Sequence, residues 1–297
     1  MKHAIFTGAC TALVTPMDSA GQVNLAELSR LVEDQIRQGI DALLVCGTTG
    51  ESATLSDSEQ AACIRCAVGT AQGRVPIVAG TGSNDTQHAI ALSQQAETLG
   101  ADALLLVTPY YNKTNQNGLI QHFTAIADAV KLPILLYNVP SRTGCNLLPD
   151  TVCTLAQHPR IVGIKEASGN MHQCMQIAAS CPEDFALYSG NDDQVLPLLS
   201  LGGKGVISVV SNIAPRQVHA MCAAWIQQDF AAARRAQFAL LPLCQALFCD
   251  VNPMPVKYAM QVQGWQVGGC RLPLTQLSDA QKASLTACMH NIPAHFV

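Results

Sequence analysis

The sequence predicts an α/β fold, a (β/α)8 TIM barrel with a C-terminal helical extension, on three observations. Eight short apolar runs recur along the chain, and a segment of helical length follows each. The runs are nearly continuous in apolar character instead of alternating, which suits parallel strands covered on both faces. The intervening segments open and close on capping residues.

The first run, ACTALVT, leads into LAELSRLVEDQIRQ, which stops at Gly39. The second, ALLVC, is followed by a helix that starts at Ser56, with Glu59 three residues on at capping-box spacing. After VPIVAG, Asn84 precedes DTQHAIALSQQAETLG, which closes on Gly100. ALLLVTP, LPILLYNVP, IVGIK, FALYSG and GVISVV complete the set. The 297 residues would allow two domains on length alone, but an α/β barrel of about 250 residues is a common single-domain solution. Residues 1–225 are assigned to the barrel and 226–297 to the extension, where PVKYAMQVQG and SDAQKASLTACMHN carry helical periodicity. No low-complexity tract or linker divides them.

Composition narrows the function. With 49% hydrophobic and 13% charged residues the chain can bury a large core. A net charge of -4 and a pI near 6.0 supply no basic field for nucleic acid or an anionic membrane. The opening MKHAIFTGACTALVTPM is interrupted by Thr11 and Thr15 and broken by Pro16, so it reads as neither a secretory signal nor a membrane span, and a cytoplasmic location is expected. Thirteen scattered cysteines, an odd number, argue against a complete disulfide framework. The close pair Cys63 and Cys66 has no second pair or histidine at ligand spacing, and no metal site is expected.

In such a barrel, chemistry collects at the C-terminal ends of the strands and in the loops after them. Those positions read GTTGES, GTGSN, TPYYNK, YNVPSRTG, KEASGN and SGND. Lys165 ends the sixth run, where its side chain can enter the barrel mouth. A desolvated lysine there is suited to attack a ketone and form a Schiff base. The bland alternative is a lysine that pairs with Glu166 or reaches solvent. Imine formation also needs a group that moves protons on and off the carbinolamine oxygen, and Tyr137, ending the adjacent strand, offers a phenol. The hydroxyls and backbone N–H groups of GTTGES suit a carboxylate, with Thr49 placed to relay protons to Tyr137. Arg142, after Pro140, suits a second carboxylate. Together these groups describe a Schiff-base enzyme for ketoacids.

The motifs FTGACTALVTPM, GTTGESATL, VPIVAGTGSN, VTPYYNKTNQNGLIQHF, LPILLYNVPSRTG, IVGIKEASGN, GVISVVSNIAP and NPMPVKYAM, in this order from about residue 5 to about 290, resemble those of the dihydrodipicolinate synthase family. That family belongs with the Schiff-base class I aldolases and N-acetylneuraminate lyase. The resemblance implies condensation of pyruvate with L-aspartate-4-semialdehyde on the diaminopimelate route to lysine, without metal or organic cofactor. It implies Lys165 as the Schiff-base residue, Tyr137 as proton donor and acceptor beside it, and Thr49, Tyr137 and Tyr111 as a proton relay. In that relay the tyrosine equivalent to Tyr111 crosses a subunit interface, and the family is usually tetrameric, so a homotetramer is expected.

By the same resemblance Thr48 and Thr49 hold the pyruvate carboxylate, Gly190 and Ile207 line its pocket, and Arg142 holds the carboxylate of the semialdehyde. The SRTG after YNVP favours the synthase over sibling aldolases and lyases that use the same imine. A binding protein that kept only the barrel has no need of the relay set. The family's lysine-inhibitor cleft maps onto Ser52, Ala53, Asn84, His88 and Tyr110. Asp57, Gln60 and His88 depart from its pattern, and His88 offers no fixed negative charge where a glutamate receives lysine's ammonium. Weak or absent feedback inhibition is expected.

Overall fold

The structure, a computed structural model, describes residues 2–290. Eight strands close into a parallel barrel in sequence order. They are β1 (Gly8–Ala12), β2 (Ala42–Val45), β3 (Ile77–Gly80), β4 (Ala103–Val107), β5 (Ile134–Asn138), β6 (Ile161–Glu166), β7 (Ala186–Ser189) and β8 (Gly205–Ser208). Every strand residue but the half-buried Val107 is buried, which explains why the runs show no polar alternation.

The outer layer comprises α1 (Leu25–Arg37), α2 (Asp57–Ala71), α3 (Thr86–Thr98), α4 (Gln116–Asp128), the short α5 (Pro140–Thr143), α6 (Pro149–Leu155), α7 (Met171–Ser180), α8 (Val195–Leu199) and α9 (Pro215–Ile226). The Ser56–Glu59 capping box of α2 forms as the spacing predicts. The start of α3 differs by one residue: Asp85, not Asn84, is its N-cap, and its carboxylate accepts from the N–H groups of Gln87 and His88. Gly39 and Gly100 end α1 and α3 with φ of +88° and +86°, a region open to glycine without a Cβ penalty.

Beyond the barrel lie α10 (Phe230–Ala246), α11 (Met254–Val262) and α12 (Asp279–Met289). The last residue of the expected helix SDAQKASLTACMHN, Asn291, and the rest of the extension to 297 lie outside the described residues. The C-terminal segment is tied to the loop after β2 by two charged groups. Lys257 on α11, almost fully buried, meets the Glu51 carboxylate at 2.6 Å and donates to the Gly269 carbonyl at 2.8 Å. Arg271 caps the same loop, donating to the Thr54 carbonyl and pairing with Glu59. Breaking a buried ion pair of the Lys257 kind costs about 3–5 kcal/mol, because the surviving charge stays buried.

The apolar side chains fall into two shells. Leu43, Val45, Leu104, Leu106, Ile134, Leu136, Ile164 and Leu187 face the helices. Cys10, Leu44, Val78, Leu105, Leu135, Tyr137, Val162, Tyr188 and Ile207 fill the barrel interior, closed by Phe6 stacked on Tyr188 at 4.4 Å. All thirteen cysteines are free thiols. Cys153 on α6 and Cys181 after α7 have sulfurs 2.7 Å apart, a pair that sequence spacing did not single out.

Candidate active site

The placement of Lys165 depends on an irregularity in β6. Ile134 of β5 pairs with Ile161, but Leu135 pairs with Gly163, so Val162 is one extra residue on the β6 side. A bulge of this kind re-aims the side chains that follow it. Val162 faces the interior and Ile164 the helices, so Lys165 turns inward although strict alternation from Val162 would turn it outward. Gly163 permits this, because a Cβ there would lie 2.5 Å from the Ala186 carbonyl oxygen.

Lys165 is buried, with 5% of its surface exposed, and its Nζ lies over the ring of Tyr137, 4.2 Å from the centroid. The two residues are register partners across β5 and β6. Gly190, after β7, supports the lysine stem: a Cβ there would come within 3.1 Å of Lys165 Cε and 2.5 Å of the Ala167 methyl. Ile207 lies in the same interior cluster as Tyr137.

The bland reading of Lys165 does not hold. It does not reach solvent, and the neighbouring Glu166 is committed elsewhere. The Glu166 carboxylate accepts from Asn138 Nδ2 at 3.0 Å, Gln173 Nε2 at 3.1 Å and the Ser168 N–H at 2.6 Å. An anion in the lysine's electrostatic environment is Asp192, the aspartate of SGND, to which sequence reading assigned no role. Burial raises the Asp192 carboxyl, while the Ser208 hydroxyl, the N–H groups of Val209 and Val210, and Lys165 pull it back. Burial likewise pushes up the Cys10 thiol on β1, and Lys165 opposes it.

The loop after β2 forms the second part of the site. Its two non-glycine residues in the left-handed region, Cys46 at φ +54° and Glu51 at φ +56°, bracket the Gly-Thr-Thr-Gly turn. Thr48 is half-buried and Thr49 buried. The Thr49 hydroxyl accepts from Asn252 Nδ2 at 2.9 Å, and the Asn252 carbonyl accepts from Arg142 Nη2 at 3.2 Å. Asn252 comes from the segment between α10 and α11. It was missed as a site residue, although NPMPVKYAM is one of the motifs that carry the resemblance.

A cleft of about 400 Å³ opens over this region. Thr48, Arg142 and Asn252 line it, as do Ser52, Ala53, His88 and Tyr110 from the expected inhibitor set. Lys165, Tyr137 and Thr49 lie outside its walls. Asn84 is not on the wall either; its carbonyl accepts from Asn112 Nδ2 at 2.9 Å. His88 Nε2 meets Asp57 Oδ1 at 2.9 Å, so the carboxylate nearest the histidine is already partnered. Tyr111 stands apart from all of these. It is 94% exposed on the loop after β4, with φ +67°.

The chain matches the family model described as the Dihydrodipicolinate synthetase family over residues 5–292. It belongs to that family. Among curated synthetase relatives, the 4-hydroxy-tetrahydrodipicolinate synthase of Acetivibrio thermocellus is 52% identical over 279 residues, 94% of each chain. Two solved synthases share the barrel closely. The Acinetobacter baumannii dihydrodipicolinate synthase complexed with pyruvate has a TM-score of 0.94 at 44% identity, covering 96% of this chain and 98% of that one. The Cyanidioschyzon merolae enzyme with lysine bound has a TM-score of 0.95 at 42% identity, covering 98% and 99%. Like those synthases, this one is a (β/α)8 barrel, and no helix among its described residues is long and apolar enough to cross a membrane.

Proposed function

We propose that this member of the synthetase family condenses pyruvate with L-aspartate-4-semialdehyde to 4-hydroxy-tetrahydrodipicolinate, a step of lysine biosynthesis, through a Schiff base on Lys165. The observation that carries the reading is the buried lysine at the C-terminal end of β6, its Nζ 4.2 Å from the ring centroid of Tyr137. An amine held at the barrel mouth is a nucleophile for a ketone, and the phenol beside it supplies the proton traffic.

Lys165 Nζ attacks the pyruvate ketone, and Tyr137 protonates the carbinolamine oxygen so that water leaves. The methyl carbon of the resulting iminium loses a proton, giving an enamine that adds to the aldehyde carbon of the second substrate. The amine of that substrate then attacks the imine carbon, the six-membered ring closes and Lys165 is released. Thr48 and Thr49 hold the pyruvate carboxylate, Gly190 and Ile207 bound the pocket around the imine, and Arg142 grips the carboxylate of the semialdehyde bidentately.

Tyr111 is the third relay member, and it serves a neighbouring protomer. Its 94% exposure supports that role, since a large aromatic left exposed on a loop is suited to insert into a second copy. The assembly is a homotetramer built from such pairs. A cytoplasmic location is supported by the thirteen free thiols, which persist in a reducing compartment.

Reduction with borohydride in the presence of pyruvate tests the imine. Mass mapping is expected to place the adduct on Lys165 and to find none in Lys165→Ala. An adduct on another lysine, or none in the wild-type protein, contradicts the reading.

A further inference from the structure

We infer that Asn252 is a positioning residue for the proton relay, an inference that rests on Thr49 acting with Tyr137 and Tyr111 in that relay. Asn252 is 4% exposed, and its side-chain amide donates to the Thr49 hydroxyl at 2.9 Å. A threonine hydroxyl has one proton to give and two lone pairs to fill. With one lone pair taken by the asparagine N–H, the Thr49 O–H is directed away from Asn252 and is left to donate elsewhere.

The opposite arrangement would bind the proton. Turned by half a rotation, the amide oxygen would accept from Thr49 and withdraw the hydroxyl from any relay. In the observed orientation Asn252 Oδ1 accepts no hydrogen bond from the described residues, and the amide meets Thr49 through its nitrogen.

The same residue also reaches the acceptor side of the site. Its main-chain carbonyl accepts from Arg142 Nη2 at 3.2 Å. The loop between α10 and α11 thus sets the Thr49 hydroxyl through a side chain and the Arg142 guanidinium through the backbone. Replacing the side chain perturbs the first link and leaves the second chemically intact.

The test is a double-mutant cycle between Asn252 and Thr49, read as kcat and KM separately. Asn252→Asp is nearly isosteric but has no N–H to donate, and its carboxylate accepts the Thr49 proton. It is expected to lower kcat about tenfold to a hundredfold, within the usual range for a proton-transfer group. Because the backbone N–H groups of the turn also hold the carboxylate, the KM for pyruvate should change less than kcat, and borohydride trapping on Lys165 should persist.

Thr49→Val removes the hydroxyl, and adding Asn252→Asp to it is expected to cost nothing further. Asn252→Ala takes the same cycle without a buried charge, and carries the test if the aspartate variant does not fold. Its kcat is expected to fall less, since it frees the hydroxyl instead of capturing its proton. Losses that multiply in the double variant would make Asn252 a scaffold residue acting independently of Thr49, and wild-type kcat in both Asn252 variants would remove its role outright. A Thr49→Val enzyme at full rate, with Lys165 still trapped, would remove the relay itself and the inference with it.

Discussion

Lys165 and Tyr137 face each other across adjacent strands, with the lysine nitrogen 4.2 Å from the centroid of the tyrosine ring. Tyr137→Phe preserves that ring and removes only the hydroxyl. It is expected to leave Lys165 trappable by borohydride with pyruvate while lowering kcat about 10²–10⁴-fold. Full activity in Tyr137→Phe, measured in the same assay, would assign proton transfer to another group.

The lysine stem is confined as closely as its head. Gly190→Ala would bring a methyl within 3.1 Å of Lys165 Cε and 2.5 Å of Ala167, so one of them must move. Displacement of a reacting group by a fraction of an ångström to an ångström is expected to slow imine formation about tenfold or more. Gly69→Ala on α2, where a Cβ meets nothing within 4 Å, is the control and should leave the rate unchanged. Equal single-turnover trapping rates in the two variants would show that Gly190 does not position the lysine.

The fold was largely legible because all eight strands are buried on both sides, so each left a continuous apolar run in the sequence. The same property hid the bulge at Val162, since a run that is apolar throughout shows no change of face. Lys165 and Tyr137 were singled out from their places at strand ends, and Arg142 from the loop after β5. Asn252 was not, because Asn-Pro reads locally as a turn and its partner Thr49 lies 203 positions away. The α3 cap was misplaced by one residue because Asn84 and Asp85 are both good N-caps, and only backbone geometry chooses between them.

Feedback by lysine is expected to be weak. In the cleft that Ser52, Ala53, His88 and Tyr110 share, His88 contacts Asp57 at 2.9 Å, so the nearest carboxylate is engaged before any ammonium arrives. Titration with L-lysine at sub-millimolar concentration is expected to leave most of the activity. His88→Glu should lower the half-inhibitory concentration about tenfold or more by supplying a charged acceptor. Strong inhibition of the wild-type enzyme in that range would contradict this account of the cleft.

Acid is expected to loosen the C-terminal segment from the β2 loop. The Arg271 guanidinium, hydrogen-bonded to Glu59, pulls its carboxyl down to about 2, against about 4.3 for an ordinary glutamate. A depressed carboxyl stabilises the fold above its unfolded value and loses that contribution as pH falls through the folded one. Solvent around the pair, whose side chains are 20% and 24% exposed, reduces the stabilisation to about 2 kcal/mol. Thermal unfolding from pH 6 to pH 3 should therefore show a smaller loss of Tm in Glu59→Gln than in the wild type. Parallel curves would show that the pair contributes nothing in this range.

The reaction runs on one lysine, and turnover of both substrates together is the measurement that decides it. Pyruvate and L-aspartate-4-semialdehyde are supplied together, product is followed by coupled reduction, and wild type is compared with Lys165→Ala. The account predicts turnover by the wild type and at least about a thousandfold less by the variant, as expected for loss of the covalent nucleophile. Wild-type protein that traps pyruvate on Lys165 but turns over no semialdehyde would move the acceptor to that of a sibling aldolase, and equal turnover by both proteins would contradict the Schiff base itself.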